Sequence, residues 1–273
     1  MPLEDTARGV NPGAVFLSEA EGVSGDLGLI VRYDGTDYHG FQKQPRHTTI
    51  QGVLDAALGS LLGRGHTLGA SRTDAGVHAD GQVVVWRGPC PVPLQRVAFV
   101  LNRRLPPAIQ IVRAFRVPRG WDPRRRAAAK QYSYRVWRGA EPPPLACYRR
   151  VAVDADALSW ARLTEAAALF LGEHDFRAFR TEGSSAETTV RTILASRWWP
   201  EDGGHIWRFT VIGTGFLYRM VRHMVGSMLE AGAPGGSVEA IRQGLAHPDR
   251  KVGALAPAAG LTLDWIQFGE TEG

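Results

Sequence analysis

The chain has 273 residues, a net charge of +5 at pH 7, 44% hydrophobic side chains and two cysteines, enough apolar material for one large domain or two of ordinary size. No run of 18 apolar residues occurs, and the first 26 residues include Glu4, Asp5, Glu19 and Glu21 without an apolar stretch; a membrane span and a secretion signal are both disfavoured. Cys90 and Cys147 lack metal-ligand spacing, which suits a reducing compartment.

Residues 1–26 read as a flexible N-terminal tail. Leu27–Tyr33 alternates as a strand, closed by the turn chemistry of Asp34 and Gly35. Thr49 is a helix N-cap, after which Ile50, Val53, Leu54, Ala57, Leu58, Leu61 and Leu62 keep helical spacing until Gly63. The stretch Arg72–Ala79 then sets one carboxylate, Asp74, between glycines at 65, 69, 76 and 81 and ahead of a strand over Gln82–Trp86. A lone Asp in a turn ordinarily caps backbone amides. Here the glycines permit close backbone approach, the strand supplies a scaffold, and Arg72 can keep the carboxylate ionised, so Asp74 is the candidate catalytic group.

Leu94–Leu101 reads as a second helix and Ile109–Arg116 as a strand. The pattern restarts with a strand at Gln131–Trp137, a proline-rich break at Pro142–Pro144, a helix over Ala155–Leu171, and strands Arg191–Trp198 and Ile206–Ile212 around a Pro200–Gly204 hairpin signal. A helix over Phe216–Ala231 follows. Its apolar stripe holds Phe216, Leu217, Met220, Val221, Met224, Val225, Met228 and Leu229. Arg219, Arg222, Gly226 and Glu230 share the opposite face, either as a solvated surface with a packing glycine or as two guanidiniums beside room for a ligand. This order implies an α+β fold of two related halves, 27–125 and 126–270, each a mixed or antiparallel sheet with helices packed on one face, and an active-site cleft between them.

The charge is uneven. Between Arg103 and Arg138, ten arginines and Lys130 face Asp122 alone, a local +10, and 29 of the 32 basic residues of the chain are arginine. The planar fork of arginine suits phosphates and bases. Phe115, Trp121, Tyr132, Tyr134 and Trp137 interleave this run, a composition that grips phosphates and stacks bases. Nucleic acid is therefore the expected partner, ahead of a membrane or an acidic protein.

Six ordered motifs resemble the TruA family of tRNA pseudouridine synthases over Leu27–Phe268. They are Tyr33-Asp34-Gly35-Thr36 with Gly40-Phe41-Gln42-Lys43-Gln44 and Thr49-Ile50-Gln51-Gly52; Arg72-Thr73-Asp74-Ala75-Gly76-Val77-His78-Ala79; Tyr132-Ser133-Tyr134; His174-Asp175-Phe176 with Ala178-Phe179-Arg180; Gly215-Phe216-Leu217-Tyr218-Arg219-Met220-Val221-Arg222; and Ala256-Pro257-Ala258-Ala259-Gly260-Leu261. The resemblance implies conversion of uridine to pseudouridine at positions 38, 39 and 40 of the tRNA anticodon stem-loop, without metal or organic cofactor, by a cytoplasmic homodimer. It gives Asp74 the catalytic place, either forming a covalent adduct or stabilising an oxocarbenium charge. With Asp74, Tyr132 and Arg222 complete the implied catalytic set: Tyr132 would stack on the base, with help in removing the C5 proton as the less favoured role, and Arg222 would pair with Asp74. Arg72, Gln44, Arg124, Arg125, Arg126, Lys130, Arg180 and Arg219 would bind RNA, Arg72 helping the target base out of its stack. The chain departs from the family at Ser71, where glycine is usual, at Gly183-Ser184-Ser185, at Thr214 and at His223. Two other readings compete. A carboxylate-dependent N-glycosidase needs a second acid, and only Asp80 lies near in sequence; a noncatalytic RNA-binding or RNA-folding protein would ignore Asp74.

Overall fold

Leu27, Leu29 and Val31 alternate into full burial along the first strand, and a computed structural model describing residues 25–138, 143, 152–153, 158–183 and 187–269 shows what covers them. In chain order the first elements are β1 (Asp26–Tyr33), α1 (Ile50–Leu62), β2 (His66–Gly69), β3 (His78–Arg87), α2 (Leu94–Asn102) and β4 (Ile109–Val117). They are followed by β5 (Ala127–Trp137), β6 (Ala152–Val153), α3 (Trp160–Ala168), β7 (Gly172–Asp175), β8 (Val190–Glu201), β9 (Ile206–Gly213), α4 (Met220–Gly232), α5 (Glu239–Ala246) and β10 (Leu261–Phe268). The class is α+β. Two compact units divide the chain: Met1–Ala128 with Leu263–Gly273, and Ala129–Thr262. The last strand thus belongs mainly to the first unit, whereas the sequence pattern grouped 126–270 together.

In the first unit the strand order is β4-β1-β3-β10, with β2 also on β3. β1 runs antiparallel to β3 and β4. Gln82, Val83, Val84, Val85 and Trp86 are all buried, so β3 is a strand covered on both faces. Asp26, assigned to a tail by sequence, is the first residue of β1. Its carboxylate pairs with Arg87 and accepts from Gly120 N–H at 2.9 Å, tying the 118–122 loop to the sheet. Helix α1 has the expected ends: Thr49 Oγ1 accepts from Gly52 N–H, and Gly63 stops the helix at φ 97°.

In the second unit the order is β5-β9-β8-β7, with β6 parallel to β5. Ser196 and Trp198 point to the same face of β8; the Ser196 hydroxyl donates to Ala167 O of α3, and Trp198 Nε1 to Met228 Sδ of α4. Both helices therefore lie on one face, as the pattern implied. Their starts differ from expectation. Residues 155–157 lie outside the described residues, and α3 begins at Trp160 behind its N-cap Ser159. Its end is also earlier, at Ala168, because Leu169, Phe170 and Leu171 switch to tighter i→i−3 bonds. Helix α4 begins at Met220 instead of Phe216, because Arg219 adopts a left-handed φ of 61° that no helix accommodates.

The Thr49 cap generates a stability prediction. Thr49→Ala lowers unfolding free energy by about 1 kcal/mol in denaturant titration, whereas Thr49→Ser, which keeps the oxygen, loses well under half of that.

Candidate active site

Asp74 sits in the segment Ser71–Val77, which has no regular structure and leads straight into β3. Its rigidity comes from elsewhere. Gln82, fully buried in β3, accepts from Ser71 N–H at 3.1 Å and donates to Ser71 O at 2.7 Å. Thr73 is held at both ends: its hydroxyl lies 2.8 Å from Tyr33 Oη, and its carbonyl accepts from Phe41 N–H at 3.0 Å. Asp74 O then accepts from Val77 N–H at 3.1 Å, closing a turn in which Gly76 takes φ 79°. Gly40, at φ 85°, lies against this turn; a Cβ there would stand 2.7 Å from Thr73 O. Ser71 does not take a positive φ, so the departure from glycine costs the loop nothing in backbone strain. Asp74 itself is half-buried and Arg72 exposed.

In the second unit Tyr134, Tyr132 and Lys130 alternate onto the helix-bearing face of β5, opposite Phe209, Val211 and Gly213 of β9. Arg222, on α4, is bound twice to one residue: its Nε donates to Ala256 O at 2.8 Å, and its carbonyl accepts from Ala256 N–H at 3.2 Å. Tyr134 Oη donates to the next carbonyl, Pro257 O, at 3.0 Å. Burial pushes the Tyr134 phenol well above its ordinary range, against the opposing pull of the Arg222 charge. The room at Gly226 is not for a ligand. A Cβ there would overlap Ala254 O, so the chain's own 254–256 segment fills it.

Tyr132 is 6% exposed and packs edge-on against Phe216, ring centroids 5.1 Å apart at 82°. In this conformation the ring offers no open face for stacking. The other aromatics of the basic run share that fate: Phe115, Trp121, Tyr134 and Trp137 are all at most 8% exposed, because each falls on a core-facing position of a strand or loop. They are packing residues, and the base-stacking reading of that composition is corrected. Exposed aromatics lie elsewhere: Phe99 of α2 at 61%, with the Arg103 guanidinium 5.6 Å from its ring, and Tyr218 at 40%, with the Arg219 guanidinium 4.8 Å above its ring. Sequence reasoning placed Tyr218 and Arg219 in a helix and so missed that pair.

The remaining candidate RNA contacts scatter. Gln44 lies in the exposed run 42–48 and donates to His39 O at 3.1 Å. Arg124, Arg125 and Arg126 are exposed, Arg124 lying 3.4 Å from Asp122. Arg180 follows the Phe176–Phe179 turn, and the next residue, Thr181, is pinned to the Arg219 turn: its N–H donates to Tyr218 O at 3.1 Å, and its hydroxyl lies 3.1 Å from His223 Nε2. Burial, joined by the charges of Arg222, Arg219 and Lys251 and opposed by a backbone hydrogen bond with Gly253, pushes the His223 imidazole below its ordinary range. Arg135, part of the same basic run, is spent on Glu201 at 2.8 Å. Lys130 is half-buried, and desolvation pushes its ammonium down to about 8. Ser184, Ser185 and Cys147 lie outside the described residues. Among the described residues no group of three or more His, Cys, Asp or Glu side chains could hold a metal ion, and no helix is long and apolar enough to cross a membrane.

Comparison with known families matches residues 29–124 and 166–268 to tRNA pseudouridine synthase. A tRNA pseudouridine synthase A of Acetivibrio thermocellus is 41% identical over 242 residues, 88% of this chain and 98% of that protein. Those of Geobacter sulfurreducens and Myxococcus xanthus are 40% identical over 242 residues and 39% identical over 244, covering 88% and 89% of this chain and 98% and 91% of theirs.

Two predictions come from this geometry. Gly40→Ala forces a side chain into positive φ and against Thr73 O, costing about 1–2 kcal/mol; the loss appears as a lower melting temperature and as a fall in turnover at temperatures where the variant is still folded. Lys130 titrates near 8 in the folded protein against 10.5 for an ordinary lysine, so between those values the unfolded chain binds more protons and stability rises with pH. Lys130→Met removes that rise, measured as the wild-type minus variant difference in unfolding free energy between pH 7 and 10.5.

Proposed function

We propose that this chain, which belongs to the tRNA pseudouridine synthase family, modifies positions 38, 39 and 40 of the anticodon stem-loop, with Asp74 as its essential carboxylate. It is an isomerase. Substrate and product have the same composition: the bond from ribose C1′ to uracil N1 breaks, C1′ bonds to C5, and the C5 proton is exchanged for one on N1. Such a reaction consumes no oxidant, reductant or water, and the proposal includes no cofactor. The observation that carries the assignment is the holding of the Asp74 loop by Gln82, Tyr33 and Phe41. A capping aspartate needs no such frame, whereas a group that must meet a developing charge at fixed geometry does.

In this reading Asp74 either bonds to the substrate or stabilises the oxocarbenium-like sugar. Arg222, fixed through Ala256, supplies a permanent positive charge, and Tyr132 supplies an edge or hydroxyl contact to the base. Arg72, exposed beside Asp74, helps displace the target uridine, since a stacked base must leave its helix before reacting, at a cost of a few kcal/mol. Gln44, Arg124, Arg125, Arg126, Arg180 and Arg219 meet phosphate and ribose. The enzyme works as a homodimer in the cytoplasm, a proposal that rests on the resemblance of the motifs.

Transfer RNA carrying tritium at uridine C5 tests the reaction. The wild-type protein releases label with no chain cleavage and no base loss; base loss would instead indicate glycosidase chemistry. Asp74→Asn reduces release by at least about 10³-fold while RNA affinity stays within a few fold, and an active Asp74→Asn protein overturns the assignment. Affinity falls linearly on a logarithmic salt axis, and replacing Arg125 by Ala reduces the slope by about one.

A further inference from the structure

The exposed run 42–48 holds more than Gln44. It is closed at its base, where His39 N–H donates to Thr48 O at 2.9 Å and Gln44 Nε2 donates to His39 O at 3.1 Å, and Gln44 and His47 bridge through the backbone. Arg46 turns the chain back at a left-handed φ of 66°, a conformation that ordinarily favours glycine. The product of this reversal is a stack: the imidazoles of His39 and His47 lie with ring centroids 4.4 Å apart and planes tilted by 31°. Both residues are exposed.

The stack stands beside the Asp74 loop, within the same unit. Tyr38 O accepts from Gly76 N–H at 3.3 Å, Phe41 N–H donates to Thr73 O at 3.0 Å, and a Cβ on Gly40 would lie 3.2 Å from the carbonyl carbon of Asp74. Residues 38, 40 and 41 therefore touch the backbone of residues 73–76, and His39 lies between them. From Tyr38 to Leu54 no acidic residue occurs, and Lys43 and Arg46 are both exposed, Lys43 3.9 Å from Asp55. Two rings held together in solvent add nothing to a core. Aromatic faces among cations, next to a catalytic loop, have the chemistry that receives a nucleotide, the rings covering the flat base and the cations its phosphate.

We propose that His39 and His47 form a stacking platform for the nucleobase next to the target uridine in the RNA strand, and so act as positioning residues. This rests on the uridine-isomerising reading above. When the target base leaves its helix, each neighbouring base loses a stacking partner. An aromatic face already fixed beside the Asp74 loop replaces one such partner and keeps the strand in register with the carboxylate. Lys43 and Arg46 meet the phosphate of the same nucleotide. Because each imidazole already rests on the other, little side-chain freedom is left to lose when the base arrives. Neither ring makes or breaks a bond.

The experiment measures kcat/KM for C5 label release, and the salt dependence of RNA affinity, for wild type, His39→Ala/His47→Ala and His39→Phe/His47→Phe. The RNA is either intact or abasic at the nucleotide immediately 5′ or 3′ of the target uridine. The alanine variant lowers kcat/KM on intact RNA by about tenfold and leaves the salt slope unchanged. The phenylalanine variant, which keeps two rings, recovers most of the loss. One of the two abasic RNAs slows the wild type by about tenfold, and on that RNA the alanine variant loses nothing further. Thermal melting confirms that both variants fold. The platform is overturned if the alanine variant keeps the wild-type kcat/KM, or if its deficit persists in full on both abasic RNAs, since the rings then support only their own loop. It is equally overturned if the phenylalanine variant is as impaired as the alanine one, or if the alanine variant has a smaller salt slope, which would make the imidazoles cations on phosphate. A wild-type protein that releases no C5 label from intact RNA defeats the isomerase reading and the platform with it, a result separate from these because no variant enters it.

Discussion

The side-chain amide of Gln82 takes both backbone groups of Ser71, and through that pair the Asp74 loop inherits the rigidity of β3. Gln82 is fully buried among valines, where an unpaired amide would be expensive, on the order of 1–3 kcal/mol for each unmet group. The pairing works in both directions: the strand fixes the loop, and the loop satisfies a buried polar side chain of the strand. Tyr33 joins from β1, with its hydroxyl 2.8 Å from Thr73 Oγ1. Three polar side chains thus replace the ladder that a loop lacks, and the carboxylate of the segment they hold is half-buried.

Arg222 is held by a related device in the second unit. A flexible guanidinium on a helix surface costs rotamer entropy to aim, and here the aiming is done by an irregular segment. Ala254 O fits against Gly226, Ala256 binds Arg222 twice, and Pro257 O takes the Tyr134 hydroxyl. The Ala256–Leu261 motif thereby acquires a physical meaning: small residues let its backbone lie close enough to α4 and β5 to use carbonyls as guides. In both units chemistry-bearing side chains are steered by main-chain atoms of coil, and the coil is steered by one or two buried polar groups.

Much of this was legible from residue pattern. Helix α1 lies between the cap and the glycine that the pattern named, and the six strands read from apolar runs are present with ends extended by a few residues, whereas the pattern did not name β2, β6, β7, β10 or α5. What failed did so for identifiable reasons. No residue type announces a left-handed Arg219, since asparagine and glycine are the usual occupants, and the apolar period ran unbroken through Phe216 and Leu217. Interleaved arginines and aromatics looked like one surface, but β5 is covered on both faces, with Tyr132 and Tyr134 on one and Trp137 on the other, so its aromatics pack whichever way they point. The tail reading overlooked Asp26 because its partners, Arg87 and Gly120, are distant in sequence. The same distance hides the role of Gln82, although a lone glutamine in a valine-rich strand was the available signal.

Because the last strand returns to the first unit, residues 129–262 are an insertion in sequence terms, entered at Ala128 and left at Leu263. During synthesis on the ribosome β3 emerges well before its neighbour β10. The part of the β3 edge that β2 leaves unpaired therefore waits for β10, and the insertion has its complete sequence first. A chain that has made the Asp74 loop but not yet β10 thus holds that loop on a sheet whose scaffold is incomplete.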